Sequence, residues 1–325
     1  MGDSPEIRRL HTSISLAGRG IIARRAWSGL SAPGTGILLA WERMVEQHFE
    51  NLDAWVAYFR HVNLPVLRHT LKELERLRDN AEHVNGRVLS SVILHDPMMT
   101  LRVLAYIEEH RRQRQNADIT TIERALMMIG VDPFFRDFRD LPMVEEQLRS
   151  TPRALLGLLQ VVGRARRAAH WAHEWAVQRH DLDVDEITVA ALLHDLAEIL
   201  MWCFAPRLAL RVQEMQAHDR NLRSALAQES AYGIRLHDLQ LALAREFHLP
   251  DLLATLMNRA NANNPRVKTV VLAVDLARHS AHGWDDPALP DDFKAIAELL
   301  HLSHEVLMRR LGIVAPADPS RNSED

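Results

Sequence analysis

The stretch AALLHDLAEILMWCFAP, residues 190–206, sets a histidine and an aspartate side by side, His194 and Asp195, in a run that is otherwise apolar apart from Glu198. Asp183 or Asp185 is placed to cap a helix running through Ile187, Ala191, His194 and Glu198 on one face, with Val189, Leu192, Leu193, Leu196 and Leu200 covering much of the rest. A helix that is apolar nearly all round is a buried one. Burying an ionised carboxylate is costly unless a cation, a metal or hydrogen-bond donors receive it, so Asp195 requires a partner. Adjacent side chains leave a helix about 100° apart, yet a histidine and an aspartate are long enough to reach one ion beside it.

Outward from this stretch the periodicity stays helical. LPVLRHTLKELERLRDN (64–80) spaces Leu64, Val66, Leu67, Leu71, Leu74 and Leu77 as one helix face, and ITTIERALMMIGV (119–131) repeats the pattern before Gly130, a natural helix C-cap. No alternating strand segment and no Asn-Gly or Asp-Gly hairpin turn competes, so the fold class is all-α, a multi-helix bundle. Punctuation divides it. SAPGTG (31–36) breaks an N-terminal helical region, Asp118 stands where a cap is needed, Ser150, Thr151 and Pro152 open a new helix, and NNPRVK (263–268) and GWDDPALPDD (283–292) separate later ones. The resulting divisions are 1–52, a helical extension; 53–150; 151–312, around the His-Asp pair; and 313–325, a tail with little to bury that reads as disordered. The amphipathic GILLAWERMVEQHFENLDAWVAYF (36–59) is expected to pack on the rest of the chain, a dimer contact being the alternative.

Composition removes several function classes. The net charge of −4 provides no field toward nucleic acid or an anionic membrane. Cys203 is the single cysteine, which excludes an internal disulfide and a cysteine-rich zinc site. The start MGDSPEIRRL lacks the order of a secretory leader, Glu6 stands where a myristoylation motif needs Ser or Thr, and no uninterrupted apolar run approaches a membrane span. The expectation is a cytoplasmic protein with no nucleic-acid or membrane partner; Trp171, Trp175 and Trp202 read as core aromatics.

The His-Asp dipeptide alone decides little, since it also begins at His95, His180, His218 and His237. Only His194 has small and large apolar residues on both sides. In that setting the chain resembles the HD superfamily of metal-dependent phosphohydrolases, and more closely its HDOD branch, a bacterial signalling module. LPVLRHTLKELERL and VNGRVLSSVILHDPMMTLRVLAYI resemble the opening of that module through Asp96, Pro97, Thr100 and Leu104; ITTIERALMMIGVDPF resembles its next element through Ile122, Ala125, Ile129 and Gly130. YGIRLHDLQLALAREFHLPDLL resembles a later segment through Gly233, His237, Leu243, Leu249 and Pro250, so the likeness runs from Trp55 to Ala281.

The resemblance implies metal positions at His194, Asp195 and Asp275, the last in VVLAVDLARHS. In catalytic relatives an upstream histidine completes the set and the metal activates water. Here that position falls near Ala165 in GRARRAAHWAHEW (163–175), with His170 and His173 one and two turns further on. Active enzymes often carry HDxGK, whereas this chain reads HDLAE and puts Glu198 where a lysine would meet phosphate. Leu256, Met257 and Asn258 stand where relatives with extra ligands keep histidines. The residues thus point to a vestigial metal site in which Arg164, Arg166 or Arg167, or else Arg207, neutralises Asp195 and Glu198; the alternative for GRARRAAHWAHEW is a solvated basic face.

Three functions follow. The first is a non-catalytic regulatory module that binds signalling proteins and has no cofactor. The second is a metal-dependent phosphohydrolase holding iron, manganese or zinc, its site completed by His170 or His173. The third is a nucleotide or second-messenger sensor in which the arginines of residues 164–167 meet phosphate.

Overall fold

The computed structural model describes residues 44–80, 84–110, 119–219 and 222–313. Among them every regular element is a helix, and the one strand-like contact is an isolated parallel bridge between Val66 and Met143. The all-α class read from periodicity is the class observed. The chain divides into two units, Met1–Leu159 with Leu196–Pro250 and Gln160–Asp195 with Asp251–Asp325.

The first unit opens at its described end with Met44–Asn51, which is not helical, so the amphipathic pattern of residues 36–59 does not make one continuous helix. Asn51 caps α1 (Leu52–Arg60) by accepting from the Ala54 N–H at 2.9 Å. Trp55 and Phe59 on α1 are fully buried, Trp55 Nε1 donates to Tyr232 O at 3.1 Å, and Arg60 forks onto Glu246. Helix α1 therefore packs on its own unit.

Leu64 to Leu67, which the spacing placed on the helix, are instead buried extended chain, and the helix starts a turn later, α2 running from Arg68 to Arg78. Val66 exchanges hydrogen bonds with Pro142 O and the Val144 N–H, which removes the strand-like segment from solvent competition. After α3 (Gly86–Ile93), Asp96 precedes Pro97 at the start of α4 (Pro97–His110). Its carboxylate, with no solvent exposure, accepts from the N–H groups of Met98 (2.9 Å), Met99 (3.2 Å) and Leu67 (2.8 Å) and from Thr70 Oγ (2.9 Å). One side chain thus caps α4 and fastens α2 to it. Burial pushes this carboxyl above its ordinary value, and the four donors reverse only part of that rise.

Thr121 caps α5 (Ile122–Ile129), while Asp118 lies outside the described residues. Gly130, at φ +82°, ends α5 in a region open to glycine and starts α6 (Val131–Asp137). A short α7 (Val144–Gln147) and the first turns of α8 (Pro152–Gln178), opened at Pro152 as expected, complete this part.

The second unit contains the later turns of α8, then α9 (Val184–Leu193). Here the sequence expectation fails in one respect: the helix does not continue through Glu198. It stops at Leu193, His194 and Asp195 form a turn, and α10 (Leu196–Phe204) starts afresh in the first unit, followed there by α11 (Pro206–His218), α12 (Ser224–Tyr232) and α13 (Leu236–Glu246). Taken whole, Val184–Phe204 is long and apolar enough to cross a membrane, a property missed in the sequence, and 89% of its most apolar stretch is buried. A core segment passes the same test.

Asp183 stands at the N-cap position of α9, but its side chain serves Arg266 instead of the helix. α9 is buried on nearly every side and packs against α14 (Asp251–Met257) and α15 (Pro265–His279). Asn264 caps α15 at the Arg266 N–H, with Pro265 in the first turn. Ala273 and Ala277, fully buried one turn apart, give α15 a smooth face. α16 (Leu289–Leu300) packs on α15.

Candidate functional site

Three segments of the second unit bring charge to the turn after α9. The middle of α8 supplies Arg164, the turn supplies His194 and Asp195, and the end of α15 supplies Arg278. Asp195 is only 8% exposed. Arg164 donates to its Oδ2 from Nε at 3.0 Å and from Nη2 at 2.8 Å. On Oδ1, Arg278 Nη2 donates at 3.2 Å and His194 Nδ1 lies at 3.2 Å. Burial alone would raise this carboxyl; Arg164, then Arg278 and His194, more than reverse that and hold it well below the usual carboxylate range. Asp195 is thus an ionised group held by two guanidinium groups.

A second pair lies close by. Asn258 caps a single 3-10 turn, Arg259–Asn261, at the Ala260 N–H, and that turn presents Arg259 to Asp275 on α15. The guanidinium spans both carboxylate oxygens, from Nη1 to Oδ2 at 3.1 Å and from Nη2 to Oδ1. Burial would lower the arginine's affinity for its proton, but Asp275, with Asp195 and Asp292 further off, raises it above the ordinary value. His279 Nδ1 meets Asp292 Oδ2 at 2.5 Å at the far end of α15.

The other sequence candidates lie elsewhere. Arg166 and His170 are exposed on α8, and Arg167 reaches only the Ala277 carbonyl, at 3.4 Å. His173 is half-buried with Nδ1 3.2 Å from Thr188 Oγ1; that hydroxyl donates to Val184 O, so it accepts from the imidazole. Arg207 pairs with Glu46 on the surface of the first unit, both side chains about two-thirds exposed (67% and 65%). Glu198 sits half-buried in the first turn of α10, where burial and its charge push the Tyr232 phenol up.

His194, Asp195 and Asp275 differ in what they offer a metal. Both carboxylates are occupied by guanidinium groups, and among the described residues no three His, Cys, Asp or Glu side chains converge as ligands would. His194 Nε2 is buried without a hydrogen-bond partner among the described residues. It is the one uncommitted donor atom of the three candidates, and one donor does not make a site.

The HDOD domain profile matches residues 64–263, more than half of the chain. The chain belongs to the HDOD domain family. No curated protein matches it. Among solved structures, the MmoQ response regulator of Methylococcus capsulatus str. Bath is similar over 78% of this chain and 98% of its own, at 16% identity and a TM-score of 0.56. A virulence factor of Campylobacter jejuni subsp. jejuni is similar over 81% of this chain and 93% of its own, at 19% identity and a TM-score of 0.53. At such identities these likenesses establish the fold.

Within this HDOD chain, sequence reasoning reached Arg164 but missed Arg259 and Arg278. The signal for Arg278 was available, since it follows Asp275 by three positions and so lies one turn along the same helix. Arg259 directly follows the Leu256-Met257-Asn258 segment noted for lacking histidine, and only the 3-10 turn brings it to Asp275.

Proposed function

We propose that this HDOD protein is a regulatory module that acts by binding signalling proteins, without metal-dependent hydrolysis, and that its metal positions have become a salt-bridge cluster. The observation that carries this reading is the double guanidinium grip on Asp195, joined by the fork of Arg259 on Asp275. Three arginines face two carboxylates there, so the local charge opposes a cation. Membership of the HDOD family supports a signalling role, and the description of one structural neighbour as a response regulator agrees with it. Elemental analysis of the purified protein, with assays for nucleotide and cyclic-dinucleotide hydrolysis, tests it. The expected result is substoichiometric iron, manganese and zinc and no turnover. Stoichiometric metal that vanishes in Asp195→Ala, with turnover, overturns it.

One observation favours a second reading, a sensor of nucleotides. The excess guanidinium charge and the uncommitted His194 Nε2 offer a phosphate and a neighbouring hydrogen-bonding group separate partners. A thermal-shift screen against nucleotides decides it, because a ligand specific to the folded state raises the midpoint.

A further inference from the structure

In the first unit, a cavity of about 450 Å³ runs between α2 and the α6 segment. One wall is the face of α2 that carries Arg68, Leu71, Lys72, Glu75 and Arg78, residues at helical spacing. The opposite wall is formed by Phe134, Phe135 and Phe138 and the chain that follows them to Met143. Phe134 and Phe138 stack with ring centroids 4.6 Å apart beneath the cleft and are buried, as are Phe135 and Leu74, so the accessible apolar floor is the partly exposed Leu71, Leu141 and Met143. The walls are fastened at one end, where Val66 pairs with Pro142 and Val144 and the Arg68 N–H donates to Glu145.

The rim has the opposite sign to the chain as a whole, which carries −4. Four cations, Arg68, Lys72, Arg78 and Arg139, face three carboxylates, Glu75, Asp140 and Glu146. Arg68 is matched with Glu146 at 3.3 Å, while Arg78 reaches Asp79 only at 4.0 Å. Lys72 and Arg139, on opposite walls, have no ion pair among the described residues. Asp140 holds a left-handed backbone, φ +47°, at the lip. Lys72 and Arg78 are separated by about 9 Å along the helix, more than one small anion bridges but within the span of a peptide that sets acids on either side of an apolar anchor.

We propose that this cleft docks an acidic, amphipathic segment of a partner protein, its apolar side chains on Leu71, Leu141 and Met143 and its carboxylates on Lys72, Arg78 and Arg139. The proposal rests on reading the chain as a binding module and names the partner's chemistry. Its test is a selection of short random peptides, displayed on phage, against the full chain, followed by fluorescence anisotropy of the recovered sequences on the wild type and on the Lys72→Glu/Arg139→Glu variant. Both substituted positions are exposed, and circular dichroism checks that the variant is folded. The expected result is recovery of peptides rich in Asp and Glu around Leu, Phe or Met, a loss of affinity of about tenfold or more in the variant, and partial rescue when the peptide acids become lysines. No peptide above background, peptides without acidic bias, or affinity unchanged in the variant overturns it. Decanoate bound through these residues with no peptide recovered assigns the cleft to a small amphiphile and also overturns it. None of these outcomes depends on metal content or turnover, so the docking proposal and the reading beneath it fail separately.

Discussion

Arg164 places two nitrogens on a single oxygen of Asp195, at 3.0 and 2.8 Å, and leaves the other oxygen to Arg278 and His194. The carboxylate is therefore satisfied from two helices at once. Removing Arg164 leaves a buried anion with a half-exposed counter-ion, because Arg278 is 36% exposed. Arg164→Ala is expected to cost about 3 kcal/mol in urea unfolding followed by tryptophan fluorescence. Arg164→Met combined with Asp195→Leu is expected to cost less than the single change, since it removes the stranded charge. Equal losses would mean that the arginine acts through packing alone.

The pH dependence has a definite sign. The Asp195 carboxyl is held well below 3.8 in the folded chain, so its ion pairs contribute stability above the unfolded value and lose it as pH falls through the folded one. The stability difference between wild type and Asp195→Asn is expected to be level above about pH 5 and to shrink only in stronger acid. A difference that disappeared between neutrality and pH 5, roughly, would point to a histidine instead.

Asp96 is a separate case. It accepts four hydrogen bonds from two regions of the chain, so Asp96→Ala strands the Leu67 N–H and the Thr70 hydroxyl as well as uncapping α4. The expected loss is about 2–4 kcal/mol, above that of an ordinary N-cap, in the same unfolding assay. A loss near 1 kcal/mol, roughly that of a cap alone, would leave the fastening of α2 without energetic weight.

Two glycines on α8 give a paired test. A Cβ at Gly157 would lie 2.5 Å from the ring of buried Trp202, whereas one at Gly163 meets nothing within 4 Å. Gly157→Ala is expected to destabilise by about 2 kcal/mol through overpacking. Gly163→Ala is expected to stabilise by about 0.5–1 kcal/mol, because alanine is the better helix former. Differential scanning calorimetry would show melting points moving in opposite directions.

Much of this architecture was legible in the sequence because it depends on local signals. The helical period, the Pro152 start and the Gly130 stop each act within one turn, and the segments of the HDOD resemblance from Leu64 to Leu253 fall inside the family match over residues 64–263, while VVLAVDLARHS around Asp275 lies beyond it. The need of Asp195 for a cation was also legible, since the penalty for burying a lone charge holds whatever the fold. The identity of the cations was not. Arg278 and Arg259 follow Asp195 by dozens of positions, and apart from the place of Arg278 one turn after Asp275 nothing local distinguishes them from the exposed Arg166. The break at His194 was hidden for a related reason. Apolar residues on both sides continue a helical pattern, and it is the side-chain bonds of Asp195 that accompany the turn.

That turn has a consequence during synthesis. Val184–Phe204 emerges from the ribosome as 21 residues with the length and greasiness of a bilayer-spanning segment. An aspartate at the midpoint of such a segment adds about 2.5–3.5 kcal/mol to the free energy of insertion. The side chain that organises the arginine cluster thus also weighs against lateral escape of the nascent chain into lipid.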